Sequence, residues 1–409
     1  MKSLELFTGA GGLALGTHLA GFKHTALLEW DHDACETLRH NSKANAVAGL
    51  KRWSIEEANI REVDFSRFDG VELVAGGVPC QPFSIGGKHK GMDDTRDMFP
   101  DFVRAIRTLR PRAFIVENVK GLLRQAFRNY FAYIMLQLTH PDIVPKRDEA
   151  WEDHLKRLED FHTRGRSTGL RYNVVFRLLN AANYGVPQTR ERVFMVGFRA
   201  DIDADWHFPE ATHSEDALVR EQFISGEYWA RHRIRESARL KPPTETALAR
   251  ARQSIVTNTK PWRTVRDAIA GLPDPTSKEG KSVPNHWPNP GARAYVGHTG
   301  SFIDWPSKTL KAGVHGVPGG ENMIAFEDGS VRYFTVREAA RIQTFPDAWH
   351  FRGAWSEAMR QLGNAVPVDL AAVVAKSVAR RLIAMRRATD TISALSHQDK
   401  PPTNNRASH

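Results

Sequence analysis

LELFTGAGGLALG, residues 4–16, packs three signals into thirteen positions: a short apolar run, a turn with glycines at 9, 11 and 12, and a second apolar run at helical spacing. A strand that ends in a glycine turn and feeds directly into a helix opens an α/β domain, with the turn at the carboxyl end of the strand, where such sheets bind ligands. Further apolar runs follow at TALLE (25–29), VELVAGG (71–77), AFIVENV (113–119), YNVVFRLL (172–179) and RVFMVGF (192–198). Buried parallel strands read as continuous apolar runs because both faces are covered, so these predict an α/β domain with a largely parallel sheet. DHDACETLRHNS and DFVRAIRTLR, lying between them, carry apolar positions three and four apart and are predicted to cover the sheet as helices.

This regularity breaks twice. Residues 139–169 are rich in charge and start with Pro141 and Pro145, which predicts an inserted surface helix from about Asp148 to Phe161 covering an edge. From 200 to 332 prolines, glycines and isolated aromatics replace the alternation, the signature of a second, smaller, irregular domain. TVREAARIQTF and VPVDLAAVVAKSVARRLIAM restore it, with Pro367 at a helix start, so residues 333–388 are expected to rejoin residues 1–199. Residues 389–409 are expected to form a frayed, disordered tail.

The 409 residues are enough for two or three domains, and the formal net charge of +10 points to a polyanionic partner. The two cysteines, Cys35 and Cys80, build neither a disulfide framework nor a Cys-rich zinc site, so no metal is expected and the compartment is reducing. The first residues lack a basic segment, an apolar segment and a cleavage site. No uninterrupted apolar run approaches the roughly 20 residues of a membrane span. A cytoplasmic protein with no membrane partner is expected.

The chemistry-bearing residues cluster at predicted strand ends. Gly9, Gly11 and Gly12 let backbone approach a ligand, while Glu29 ends the second strand with a carboxylate suited to ribose hydroxyls and Trp30 adds an indole for a purine. These features suit an adenine nucleoside. Gly9-x-Gly11-x-x-Ala14 also fits the nicotinamide fingerprint, which leaves a dehydrogenase open at this point. Cys80 follows the fourth strand between prolines, and the stretch beyond it carries Ser84, Lys88 and Lys90 with paired glycines, as in a loop that closes over phosphates. A thiol is nucleophilic only as thiolate, so the site must favour that form. Glu117 ends the fifth strand among apolar neighbours that would raise its pKa and suit it to proton donation. Arg190 and Arg192 enter a further strand at alternate positions, and Asn364 sits in a predicted Gly-Asn turn before the last helix.

In chain order FTGAGG, EWD, GGVPCQPFS, ENV, QTRER, TVREAARIQTFP and QLGNAVPV resemble the DNA (cytosine-5)-methyltransferase family of bacterial restriction-modification systems, over residues 2–125, 172–199 and 333–380. The resemblance implies a Rossmann-like fold that uses S-adenosylmethionine and releases S-adenosylhomocysteine, with residues 200–332 as a target-recognition domain. It implies that Cys80 attacks carbon 6 of a cytosine extruded from duplex DNA, that Glu117 donates a proton to ring nitrogen 3, and that Arg192 binds the 2-oxo group with Arg190 in support. Phe7, Gly9, Gly11, Gly12, Leu13, Glu29, Trp30, Asp64 and Asn364 fall to the cofactor. Ser84, Lys88, Lys90 and the pair Thr309-Leu310 fall to DNA. A monomer on double-stranded DNA, in a prokaryotic cell or phage-encoded, is implied, with a restriction endonuclease of the same target as a possible companion.

A dehydrogenase leaves Cys80, Glu117 and QTRER without a role. Transfer-RNA methyltransferases of the same architecture carry a Cys-Phe-Thr signature where this chain reads Tyr333-Phe334-Thr335. Residues 229–252 hold seven Lys/Arg against two Glu, which suits phosphate contacts but not base reading.

Overall fold

The structure is a computed structural model that describes residues 1–79, 97–165, 169–202, 205–253, 258–296, 299–312, 322–326 and 328–398. Its centre is a seven-stranded sheet formed by β1 (Lys2–Leu6), β2 (Lys23–Glu29), β3 (Ile55–Glu57), β4 (Leu73–Gly77), β5 (Ala113–Val119), β6 (Tyr172–Asn180) and β7 (Glu191–Arg199). The order is β3-β2-β1-β4-β5-β7-β6, and only β7 runs against its neighbours. Each of the six expected apolar runs is a strand. The third strand, named by no apolar run, is the three-residue β3, too short and too exposed to show a period.

The apolar runs are continuous because each strand feeds two cores. In β5, Phe114 and Val116 join the layer under α3 (Phe99–Leu109) and α4 (Arg128–Thr139), while Ala113 and Ile115 join the opposite layer under α1 (Gly12–Leu19) and the long last helix. Helix starts follow local chemistry. Asp31 caps α2 (His32–Ala44) by accepting from Ala34 N at 3.0 Å, and Asn45 ends it in the left-handed region.

The inserted helix, α5, spans Trp151–Arg164, three residues later than the sequence suggests at both ends. It is more than an edge cover. His154 is fully buried between Tyr133 Oη at 2.8 Å and Ile143 O at 2.9 Å, and Leu155 and Leu158 complete the core beneath α4.

Beyond residue 205 come α6 (Glu215–Phe223), α7 (Glu227–His232), α8 (Glu245–Gln253), α9 (Val265–Ile269) and α10 (Lys278–Ser282), with five strands of two or three residues each. This stretch does not have one core of its own. Leu218, Tyr228, Trp229 and Trp262 pack with Ala182. Val265, Ala268, Ile303, Leu310 and Ile324 instead share a cluster with Leu38 of α2, Phe345 and Leu362. The chain returns through α11 (Val336–Ile342), opened by a Thr335–Glu338 capping box, then α12 (Trp355–Asn364) and α13 (Val368–Gln398). α13 continues past Thr389, where a tail was expected. Taken together α12 and α13 hold a window long and apolar enough for a membrane span, but 72 % of it is buried inside the fold, as in a core helix.

Candidate active site

The glycine turn is built by close contact at one side and openness at the other. Phe7, just past β1, adopts φ 55°, a left-handed conformation rarely taken by a bulky side chain and a mark of local strain at a ligand-facing turn. Thr8 N is tied to Leu28 O at 3.2 Å. A Cβ at Gly12 would lie 2.1 Å from Val366 O, so only glycine lets the turn meet the chain's return. At Gly9, with φ 54°, a Cβ would meet nothing within 4 Å: this side of the turn faces open space. Leu13 is buried at the start of α1.

Glu29 closes this end of β2. Its carboxylate accepts from Gly9 N at 2.6 Å, Trp30 N at 2.9 Å and Asp31 N at 2.8 Å. Burial pushes its pKa up, and the three N–H donors offset part of that rise. Trp30 is 72 % exposed, an unusual position for a large indole. At the end of β3 lies a cleft of about 430 Å³ lined by Glu57, Ala58, Asn59, Glu62, Val63, Asp64 and Arg67. Asp64 is not at the strand end: its carboxylate caps the turn after it, accepting from Ser66 N at 2.9 Å and Ser66 Oγ at 2.7 Å. Asn59 is the polar residue at the carboxyl end of β3, one position after Ala58, whose N–H donates to Glu29 O at 2.7 Å. Sequence reading passed over it because β3 had no visible period to mark where the strand stops.

The second half of the site lies two strands away. Gly77, the last residue of β4, pairs with Glu117 on β5. Asn118 Nδ2 donates to Val78 O at 3.2 Å and so fixes the backbone two residues before Cys80. Cys80, Ser84, Lys88 and Lys90 lie outside the described residues. Val119 pairs with Arg192 on β7, and Arg192 Nε meets Glu117 Oε1 at 3.0 Å with both side chains nearly buried. Burial pushes the Glu117 carboxyl up, while the Arg192 and Arg190 guanidinium groups pull it partly back. Arg190 does not reach the same carboxylate by a hydrogen bond. It is fully buried and donates to Leu310 O at 3.0 Å, Gly363 O at 2.6 Å and Ala365 O at 3.0 Å.

Three expectations change in this light. Thr309 and Leu310, assigned to DNA by resemblance, turn inward: Thr309 Oγ1 donates to Thr189 O at 2.8 Å, and Leu310 is 1 % exposed. Asn364 is the exposed last residue of α12, two positions before the Val366 that walls Gly12, so it borders the glycine turn from a helix end and not from a free turn. Within residues 229–252, Arg231 pairs with Glu221 at 2.9 Å and Arg250 with Asp216 at 3.2 Å, which neutralises part of that basic run. The other thiol, Cys35, is buried and pushed up to about 12 by desolvation, so it is no nucleophile.

The Glu29 turn and the Glu117–Arg192 pair lie on one carboxyl edge of a mainly parallel sheet covered by helices, where α/β enzymes bind their ligands. The chain belongs to the C-5 cytosine-specific DNA methylase family, matching it over residues 1–142 and 149–380. Its relatives include the type II methyltransferase M.NgoMIV of Neisseria gonorrhoeae, 32 % identical with 93 % of this chain and 97 % of the relative covered. M.Eco47II of Escherichia coli is 34 % identical over 93 % of this chain and 79 % of its own. Among solved structures, the S. pombe Dnmt2 methyltransferase shares the fold at a TM-score of 0.53 and 16 % identity, over 94 % of this chain and 99 % of the other. The protein is a DNA cytosine-5 methyltransferase.

Proposed function

We propose that this chain methylates carbon 5 of one cytosine within a specific duplex sequence, using S-adenosylmethionine as donor and Cys80 as nucleophile. The observation that carries the reading is the Glu117–Arg192 pair, 3.0 Å apart at the end of a strand whose neighbour, β4, leads within three residues to Cys80. A stacked base cannot reach that edge, so it must be extruded at a cost of a few kcal/mol.

The donor site fits its ligand by chemistry. Three N–H groups take three of the roughly four acceptor positions of the Glu29 carboxylate, which leaves capacity for a ribose hydroxyl. Phe7, Gly9, Gly11, Gly12, Leu13 and Asn364 surround the methionine and ribose, Trp30 offers its indole to the adenine, and Asn59, favoured over Asp64 by its place at the strand end, meets the exocyclic amine. S-adenosylmethionine supplies an electrophilic methyl group when bound.

The protein does the rest. Cys80 thiolate adds to carbon 6 while Glu117 delivers a proton to nitrogen 3, so the electron pair pushed into the ring is neutralised and carbon 5 becomes enamine-like. Arg192 donates to the 2-oxo group, and Arg190 holds the backbone from which Arg192 projects. Once carbon 5 has taken the methyl group, loss of the carbon 5 proton, expulsion of the thiolate and return of the nitrogen 3 proton to Glu117 complete the cycle. Residues 200–332 are assigned to target recognition, with Ser84, Lys88 and Lys90 as phosphate contacts. The bacterial type II relatives support a modification enzyme of a restriction-modification system; we take it to act as a monomer in the cytoplasm, in a prokaryotic cell or phage-encoded.

Cys80→Ser tests this directly. It is expected to keep cofactor binding and to lose nearly all transfer of a tritiated methyl group to DNA; turnover like the parent's would reject Cys80 as nucleophile. Transfer-RNA offered in the same assay is expected to accept no methyl group.

A further inference from the structure

Two glutamines that take no part in the chemistry are fully buried between the halves of the site. Gln188 Nε2 donates to Gln343 Oε1 at 3.1 Å, and Gln188 Oε1 accepts from Leu310 N at 3.0 Å. Gln343 Nε2 donates in turn to Leu362 O at 2.5 Å and to Ala365 O at 3.2 Å. Arg190, two residues after Gln188, adds its bonds to Leu310 O, Gly363 O and Ala365 O.

Leu362 and Gly363 belong to the last turn of α12, whose carbonyls are short of intrahelical donors: the C-cap N–H of Ala365 is shared between Gln361 O and Leu362 O. Side chains from two distant segments therefore serve as its cap, and the buried Arg190 cation sits at the negative end of the helix dipole. The cap has a neighbour on each side. Ala365 is followed by Val366, whose carbonyl presses on Gly12. Arg190 is followed two positions on by Arg192, bound to Glu117. A continuous buried chain of hydrogen bonds and backbone thus runs from the wall of the glycine turn to the base-binding edge.

We infer that Gln343 is a positioning residue: with Gln188 it keeps the cofactor wall in register with the Arg192–Glu117 edge, so that the donor methyl and carbon 5 of the cytosine line up. This rests on the proposed reaction. It adds that alignment between the halves, and not only the shape of each, depends on this pair of carboxamides, with Gln343 the larger contributor.

Two measurable reactions separate register from assembly. Thiolate addition at carbon 6 makes carbon 5 basic; a solvent proton adds there, the original hydrogen leaves as a proton, and elimination of the thiolate restores cytosine with its carbon 5 hydrogen exchanged. That exchange needs the base-binding edge and the thiol but no methyl donor. Methyl transfer needs both halves in register, where a displacement of about 1 Å costs roughly 10²-fold.

Gln343→Leu keeps volume and removes both donor and acceptor. Tritium release from a duplex tritiated at cytosine carbon 5, measured without cofactor, is expected to stay within about threefold of the parent, while methyl transfer falls roughly 10²-fold. Tryptophan fluorescence titration with S-adenosylhomocysteine is expected to show parent-like affinity. Gln188→Met, which leaves the Gln343 bonds to Leu362 O and Ala365 O in place, is expected to give the same split at smaller size, and it decides alone should Gln343→Leu fail to fold. Equal loss of exchange and transfer, as a smaller folded fraction would cause, overturns the inference, and so does unchanged transfer. If the parent protein shows neither reaction on cytosine duplexes, the proposed reaction is what fails.

Discussion

Glu29 and Glu117 end parallel strands on the same edge of one sheet, both are buried, and burial raises both pKa values. They are solvated in opposite ways. Glu29 is met by three backbone N–H groups from its own turn and from the glycine loop, whereas Glu117 is met by one guanidinium carried on the neighbouring strand. Backbone donors cannot swing away, so Glu29 is a fixed acceptor. A side-chain partner can yield its place, so in the proposed reaction Glu117 would exchange Arg192 for a ring nitrogen as a base enters. The contrast separates a binding carboxylate from a reacting one by the kind of partner, where burial and pKa direction alone do not.

The largest expected effect breaks the reacting side. Glu117→Gln cannot deliver a proton, and methyl transfer is expected to drop about 10²- to 10⁴-fold, with KM for S-adenosylmethionine changed little. Steady-state kinetics with saturating DNA checks this. A comparable rise in KM for the cofactor would mean that the two carboxylates are not separable.

Next in size is Glu29→Gln. Its amide group would face N–H donors that now meet a carboxylate oxygen, a loss of about 1–3 kcal/mol in stability and roughly tenfold in cofactor affinity. Thermal unfolding and fluorescence titration with S-adenosylhomocysteine read the two effects, with kcat expected to remain within a few-fold.

The smallest effect sharpens the comparison through pH. Glu117 holds its proton more tightly folded than unfolded, so its contribution to stability is complete below the ordinary carboxyl range and is lost as pH rises through the raised folded value. As a proton donor it imposes the same direction on rate: kcat/KM is expected to decline across that value. Glu29→Gln should keep this alkaline decline and Glu117→Gln should abolish it, in a pH profile of methyl transfer.

Much of this was readable before any coordinates. The strand runs and Glu29 and Glu117 at strand ends follow from period and order, because strand ends in a parallel sheet share one edge; the place of Arg192 beside Glu117 is implied only by the family resemblance, since β7 runs antiparallel and brings its start to that edge. What stayed hidden depends on contacts remote in sequence. Arg190 bonds to residues 120, 173 and 175 positions away, so its role as a helix cap leaves no local trace. Asp64 is named through the resemblance alone, and Asn59 goes unnamed because the end of the three-residue β3 leaves no period in the sequence. The inserted helix was placed too early because it has no side-chain cap at Ala150 to announce its start.

The contact of Val366 O with Gly12 also has a consequence in time. The turn that opens the chain is finished by a residue made near its end, so a nascent polypeptide carries an incomplete donor pocket until about 366 residues have left the ribosome, roughly 20 to 70 s into synthesis. A cell that makes this enzyme therefore waits for nearly all of these residues to be joined before its DNA can gain any mark.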